Sequence, residues 1–317
     1  MTAVGVTVRP EAPGTHPAVT GFAATARHEP RTAHRERLPQ VLLVVFLGMV
    51  AASSLIGWLT HRTVTQVWEQ TRGDGLTRAP NPFGKVSPLY YVANVVIYVL
   101  LIGALLAIAL GVTSALRGRA SGTLDLVLSR PVDTRAYLAG KLAGTAAWLG
   151  LVLVVAAVVN WASIGVIVGE VLGVEETLRL VGFYVVAWLF LLTFLILGLL
   201  SGIHSRRETT ALLVPIVAWS VLAFVLPQLG TAARPVALLN PIPHPITDGG
   251  VFPAIQSVVG PLSLTEQFKT LSGSVLGNDR VHGSASVALV SLVVALLLAG
   301  AVLLSTPRWR LRRGLHE

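Results

Sequence analysis

Ser201 and His204, with Gly202 between them, are the sequence's nearest approach to a nucleophile with its base, the pair on which hydrolytic acyl transfer depends. His244, Asp248 and His282 are the residue types of a zinc or copper site. Both sets sit in settings that favour a plainer role. Ser201 and His204 close an apolar run beside Arg206 and Arg207, where a chain leaves a membrane. His244 lies in LLNPIPHPITDGG, a proline-rich stretch of the kind that carries histidine without metal. The 317 residues include no cysteine, so no thiolate ligand, thiol nucleophile or disulfide is available, and with two methionines Cu(I) has no soft ligand set. The phosphate-cradling G-x-x-x-x-G-K-[ST] pattern is absent: Gly140-Lys141 is followed by Leu142, and Arg135 stands where the first glycine belongs. No catalytic centre, resident metal or cofactor is read, and the chain is not expected to be an enzyme.

Hydrophobic residues make up 53% of the chain and charged residues 12%, with a mean hydropathy of +0.72. That is the composition of a polytopic membrane protein. Six apolar runs of spanning length cover about 39 to 60, 89 to 116, 142 to 168, 178 to 203, 210 to 230 and 285 to 306. The expected fold is all-α, with six transmembrane helices forming one domain over 39–306. No Asp, Glu, Lys or Arg falls near the middle of any run, which weighs against an ion-coupled carrier. Asn94 and Asn160 are read as interhelical hydrogen-bonding residues, and Gly140-x-x-x-Gly144 and Gly198-x-x-x-Gly202 as sites of close helix packing.

The cations set the orientation. With the N terminus inside, the inner segments hold Arg9, Arg27, Arg31, Arg35 and Arg37, then Arg117, Arg119, Arg130, Arg135 and Lys141. Arg206 and Arg207 follow, and Arg308, Arg310, Arg312 and Arg313 close the chain. These are 16 of the 24 cations, so both termini are expected in the cytoplasm. A net charge of +9 is thereby explained without nucleic acid. Residues 1–20 read as a disordered tail, 21–38 as a basic amphipathic helix broken at Pro30, and 307–317 as a basic cytoplasmic tail. The external loops of substance are 61–88 and 231–284, the second apolar enough to fold back as short helices.

One inner loop, 117–141, has an internal design. Leu124, Val127 and Leu128 fall at i, i+3 and i+4 on a helix of about two turns that starts near Gly122 and ends at Arg130, before Pro131. Asp133 is placed to cap a second helix, with Val132 and Tyr137 as its hydrophobic staple, running through Lys141 into the third span. A helix of about eight residues reaches only about 12 Å, so the corner projects below the membrane and suits a groove on a cytoplasmic partner.

The run Ser121-Gly122-Thr123-Leu124-Asp125-Leu126-Val127-Leu128-Ser129-Arg130-Pro131-Val132, with Leu138, Gly140-Lys141-Leu142 and Gly144, resembles the signature of ABC-2 type transporter permeases. Within them it is most similar to the permease that serves nitrous-oxide-reductase maturation. Ala26-Arg27-His28-Glu29 is similar to the elbow helix before that family's first span. Ala120 and Gly118 stand where family members usually carry glutamate. The resemblance implies a type V exporter-like transmembrane domain in the inner (cytoplasmic) membrane, paired with a second copy or a sister permease and docked on two ATP-binding subunits. It implies a coupling loop at Arg119, Gly122, Thr123, Leu124, Asp125, Val127, Leu128, Arg130 and Pro131, and an elbow helix carrying Arg27, His28, Glu29 and Arg31. A periplasmic or extracellular accessory protein is a further implied partner. An ion-coupled secondary transporter and a non-transporting membrane assembly protein are the alternatives.

Overall fold

The computed structural model describes residues 17–33, 36–80, 89, 92, 94–120, 133–168, 172–231, 251–278 and 283–307. Among these residues all regular structure is helical. The order is α1 (Pro17–Ala33), α2 (Arg37–Gly73), α3 (95–120), α4 (Thr134–Val168), α5 (Val174–His204), α6 (208–231), α7 (Phe252–Val259), α8 (Leu264–Val275) and α9 (Ala285–Leu304). Six of them, α2 to α6 and α9, are long and apolar enough to cross a membrane. An even number of crossings returns the chain to the side from which it started.

The bundle is built around α3 and α5, which are the most buried of the six. Their backbones touch because three glycines face across the crossing. A Cβ on Gly111 would lie 2.3 Å from the Leu195 carbonyl oxygen, one on Gly198 2.4 Å from that of Ile108, and one on Gly202 2.6 Å from Ala115 Cβ. In lipid no hydrophobic effect drives helices together, so such backbone approach is where packing attraction is gained. The Gly198 and Gly202 pair therefore packs within the subunit. Around this pair α2, α6 and α9 form the periphery and leave Val44, Leu55, Val217 and Leu297 exposed, a surface matched to hydrocarbon.

Two spans contain a widened π-helical turn, Val99–Gly103 in α3 and Val221–Val225 in α6. The displaced carbonyls are satisfied by side chains from elsewhere. Trp219 Nε1 donates to Leu100 O at 3.2 Å, and Thr265 Oγ1 donates to Leu222 O at 3.3 Å. Backbone irregularity at membrane depth survives only where such partners exist.

Some boundaries differ from those expected. The first apolar run ends near residue 60, but α2 continues to Gly73, giving a helix roughly 55 Å long at 1.5 Å per residue. The extension is supported by cation–aromatic pairs at i and i+4, Arg62 over Trp58 at 5.5 Å and Arg72 over Trp68 at 5.1 Å. Residues 17–20, expected in the disordered tail, belong to α1, and Pro30 lies inside that helix without ending it. Pro30 stands in the last turn, so the interruption removes only the hydrogen bond to Ala26, whose carbonyl oxygen instead faces Gly144. The remainder of the expected tail, residues 1–16, lies outside the described residues, as do 308–317.

Candidate functional site: a buried charge cluster at the roots of the loop

Gly140 and Gly144, on the first turns of α4, give α1 its seat. A Cβ on Gly140 would stand 2.7 Å from Phe22 O, and one on Gly144 2.6 Å from Ala26 O and 2.7 Å from Glu29 Cβ. Only hydrogen at both positions lets the helices lie this close. α4 is started by the residue expected to start it, since Asp133 Oδ1 accepts from the Arg135 amide at 3.1 Å.

This approach presses Glu29 into the bundle, where its side chain is 3% exposed. Of the four elbow residues named from the sequence, Arg27, His28 and Arg31 are exposed and Glu29 alone turns inward. Its carboxylate is met from both neighbouring spans. Lys141 Nζ of α4 donates to Oε1 at 2.6 Å. From α3, Arg117 Nη1 and Ser114 Oγ donate to Oε2 at 2.8 and 2.9 Å. Arg117 reaches further, through Nε to Glu36 Oε1 at 2.8 Å and through Nη1 to Thr32 Oγ1. Lys141 also lies 5.7 Å from the centre of the Tyr137 ring. Two carboxylates face two cations, so the cluster is neutral as a whole.

A buried charge is tolerable only when paired and hydrogen-bonded. Here the pairing joins three helices: α1 with the last turns of α3 before the loop and the first turns of α4 after it. The loop itself lies outside this description. Gly122, Thr123, Leu124, Asp125, Val127, Leu128, Arg130 and Pro131 fall outside the described residues, and Arg119 is placed only as a helical residue of α3. Chemically the cluster can hold and transmit, but it presents no nucleophile or acid to a substrate.

The other candidates separate cleanly. Ser201 Oγ donates to Ala211 O at 2.8 Å, tying α5 to the start of α6, while His204 Nδ1 lies 2.8 Å from Leu200 O in its own helix. They form no catalytic pair. Asn160 is fully buried, with its Oδ1 accepting from Ser54 Oγ at 3.1 Å and its Nδ2 donating to Tyr184 OH at 3.1 Å. It thereby links α2, α4 and α5, the interhelical role expected of it. His244, Asp248 and His282 lie outside the described residues.

Sequence inspection took Arg117 and Lys141 as orientation anchors and missed that both are paired with Glu29. Ser114, Thr32 and Glu36 carried no signal of their own. It also missed a second buried pair, Glu266 Oε1 with Lys269 Nζ at 3.0 Å, on α8. That helix was expected in an external loop, and 252–275 does fold back as short helices, but α8 buries Glu266 and Lys269 along with its apolar residues. Phe268 holds it there, stacking on Phe190 of α5 at 4.5 Å between ring centres. The spacing i, i+3 was the available signal.

Two comparisons bear on this arrangement. A family model described as "ABC-2 family transporter protein" matches residues 23–311, which takes in α1 from residue 23 onward, all six spans and the segment between α6 and α9. No curated protein matches the sequence.

Proposed function

The chain belongs to the ABC-2 transporter family, and from that premise we propose that it is the permease subunit through which separate ATP-binding subunits drive export or transmit force across the membrane. It is a multi-pass membrane protein with six apolar helices. The orientation in this reading follows the arginine bias, with α1, the 117–141 loop and both termini in the cytoplasm, and the membrane is the inner one.

The observation that carries the reading is the convergence of Lys141 and Arg117 on Glu29. A loop that only connects two spans needs no such bracing. With both roots joined through one carboxylate, a push on 121–132 moves the ends of α3 and α4 together with α1. α3 in turn is locked to α5 along the glycine contact, so the displacement reaches the centre of the bundle. Closure of the ATP-binding subunits would then tilt the inner ends of the spans. A pair of permeases, this chain with a second copy or a sister, would alternate access between them. The coupling residues in this scheme are Leu124, Val127 and Leu128, with Arg130 and Pro131 as the corner. The signature from Ser121 to Val132 further supports kinship with the nitrous-oxide-reductase maturation permeases. Metal- or sulfur-bearing cargo would then require an accessory partner, since the chain lacks soft ligands of its own.

The test is co-purification of the full chain with its ATP-binding subunits in lipid nanodiscs, followed by ATP hydrolysis. Leu124→Asp or Leu128→Asp is expected to abolish stimulation while leaving membrane insertion unchanged. Failure ever to recover an ATP-binding subunit, or transport that collapses with the proton gradient yet survives ATP depletion, would overturn the assignment in favour of a secondary carrier.

A further inference from the structure

The cluster that buries Glu29 leaves its mark on the opposite side of α1. At 100° per residue Arg27, His28 and Arg31 fall within a quarter to a third of the helix circumference, opposite Glu29. All three are exposed, as is Arg37 at the foot of α2. The acids of the same stretch are turned the other way: Glu29 is held by Lys141 and Arg117, and Glu36 is held by Arg117. Charge is therefore sorted across the helix, with anions consumed inside and cations alone presented outside.

The level of this face is set by its neighbours. Glu29 meets Ser114 and Lys141, which stand where the apolar runs of α3 and α4 end. Arg37 opens the apolar run of α2. Guanidinium groups at the boundary between hydrocarbon and water, with no carboxylate paired to them among the described residues, complement the phosphates of a negatively charged leaflet.

We propose that the outward face of α1, formed by Arg27, His28 and Arg31, is a docking surface for anionic phospholipid headgroups. Lipid bound there holds α1 against the membrane, and through Glu29 it steadies the roots of the loop. The inference requires that the chain spans a membrane but does not depend on ATP coupling, so the two can fail separately.

The experiment uses the full chain in nanodiscs of phosphatidylcholine containing spin-labelled phosphatidylglycerol, with spin-labelled phosphatidylcholine as reference. Relative association is read from the motionally restricted fraction. The wild type is expected to prefer phosphatidylglycerol, with the preference weakened by salt. Arg27→Gln/Arg31→Gln is expected to reduce it roughly five-fold for each arginine removed. Arg27→Lys/Arg31→Lys keeps the charge and is expected to keep the preference. Arg206→Gln/Arg207→Gln removes as many cations from the other loop at this end of the bundle and is expected to leave it unchanged. The proposal is overturned if the wild type shows no preference, or if the Arg206/Arg207 variant loses as much as the Arg27/Arg31 variant. It is equally overturned if Arg27→Gln/Arg31→Gln retains the lipid but sheds an ATP-binding subunit, which would make the face a protein dock.

Discussion

Lys141 Nζ lies 2.6 Å from Glu29 Oε1, with 6% and 3% of the two side chains exposed, although 112 residues separate them. The contact crosses from α1 to α4 and is doubled by Arg117 from α3. Desolvation opposes such a pair as strongly as attraction favours it, so its net contribution to stability is small. Removing one member is another matter: Glu29 without Lys141 keeps only Arg117 and Ser114, and Lys141 without Glu29 is left buried without that carboxylate.

Lys141→Met is therefore expected to cost about 2 kcal/mol, the loss of one charge-assisted hydrogen bond, since Arg117 and Ser114 still hold Glu29. Glu29→Gln is expected to cost a similar amount by leaving two cations facing each other. The double variant Glu29→Gln/Lys141→Met should lose clearly less than the two single losses combined, because the contact is absent in both. Thermal unfolding of the four proteins in one detergent measures the cycle. Strict additivity would mean that the pair is not coupled. On the function proposed above, the single variants combined with ATP-binding subunits should also lower stimulated ATP hydrolysis more than basal hydrolysis.

Gly144→Ala places a methyl group where Ala26 O and Glu29 Cβ already stand, at 2.6 and 2.7 Å from the new carbon. Neither neighbour is the free end of a flexible side chain, so α1 must shift. A loss of about 1–3 kcal/mol is expected, the range for overpacking a filled contact. Gly48, whose added Cβ would meet nothing within 4 Å, is the control, and Gly48→Ala should be neutral or slightly stabilising. Melting temperatures of the two variants decide the matter. Equal effects would show that α1 is not seated on Gly144.

The spans were legible in the sequence because span length and apolarity are imposed by the bilayer and need no tertiary knowledge. The helix start at Asp133 was legible for the same local reason. Glu29 was legible only through its likeness to an elbow helix, and its pairing was not, since nothing in a linear sequence brings residue 29 to residue 141. Arg117 and Lys141 had a sufficient explanation as topological anchors, and that explanation hid the structural one. Pro30 misled in the opposite way. Its rule describes helix interiors, while here Pro30 stands in the last turn and the carbonyl it frees, that of Ala26, lies against a glycine of another helix. The buried face of α8 was obscured because its composition, LTEQFKTLSGSV, is that of an ordinary exposed amphipathic helix.

Asn160→Leu removes the partner that two side chains share, leaving Tyr184 OH without its hydrogen bond to Asn160 and Ser54 Oγ with the acceptor in its own helix, Val50 O. Hydrogen bonds between spans are worth less than burial alone suggests, because a chain unfolded in the membrane also finds partners. A loss of about 1–2 kcal/mol is expected for Asn160→Leu and about 0.6 kcal/mol for Tyr184→Phe. Asn160→Leu/Tyr184→Phe should then be little worse than Asn160→Leu alone. Unfolding titrations in mixed micelles measure all three, and a Tyr184→Phe effect undiminished in the Asn160→Leu background would show that the two side chains act independently.

Lys269 and Glu266 pose the sharpest case, because α8 does not cross the membrane yet carries both charges into the bundle, with Lys269 only 1% exposed. Lys269→Met leaves Glu266 buried without its cation, and about 3–5 kcal/mol is expected to be lost. Short of taking up a proton, the carboxylate escapes that cost only by reaching water, which requires α8 to withdraw Phe268 from its stack on Phe190. The variant should therefore expose α8 as well as lower stability, so that a cysteine placed at Thr270, buried in the parent, becomes reactive to a water-soluble maleimide. Glu266→Met/Lys269→Met removes both charges and should restore both the melting temperature and the protection of that cysteine to near the parent values. Protection unchanged in Lys269→Met would show that the ion pair adds nothing to the position of α8, which its other contacts then hold.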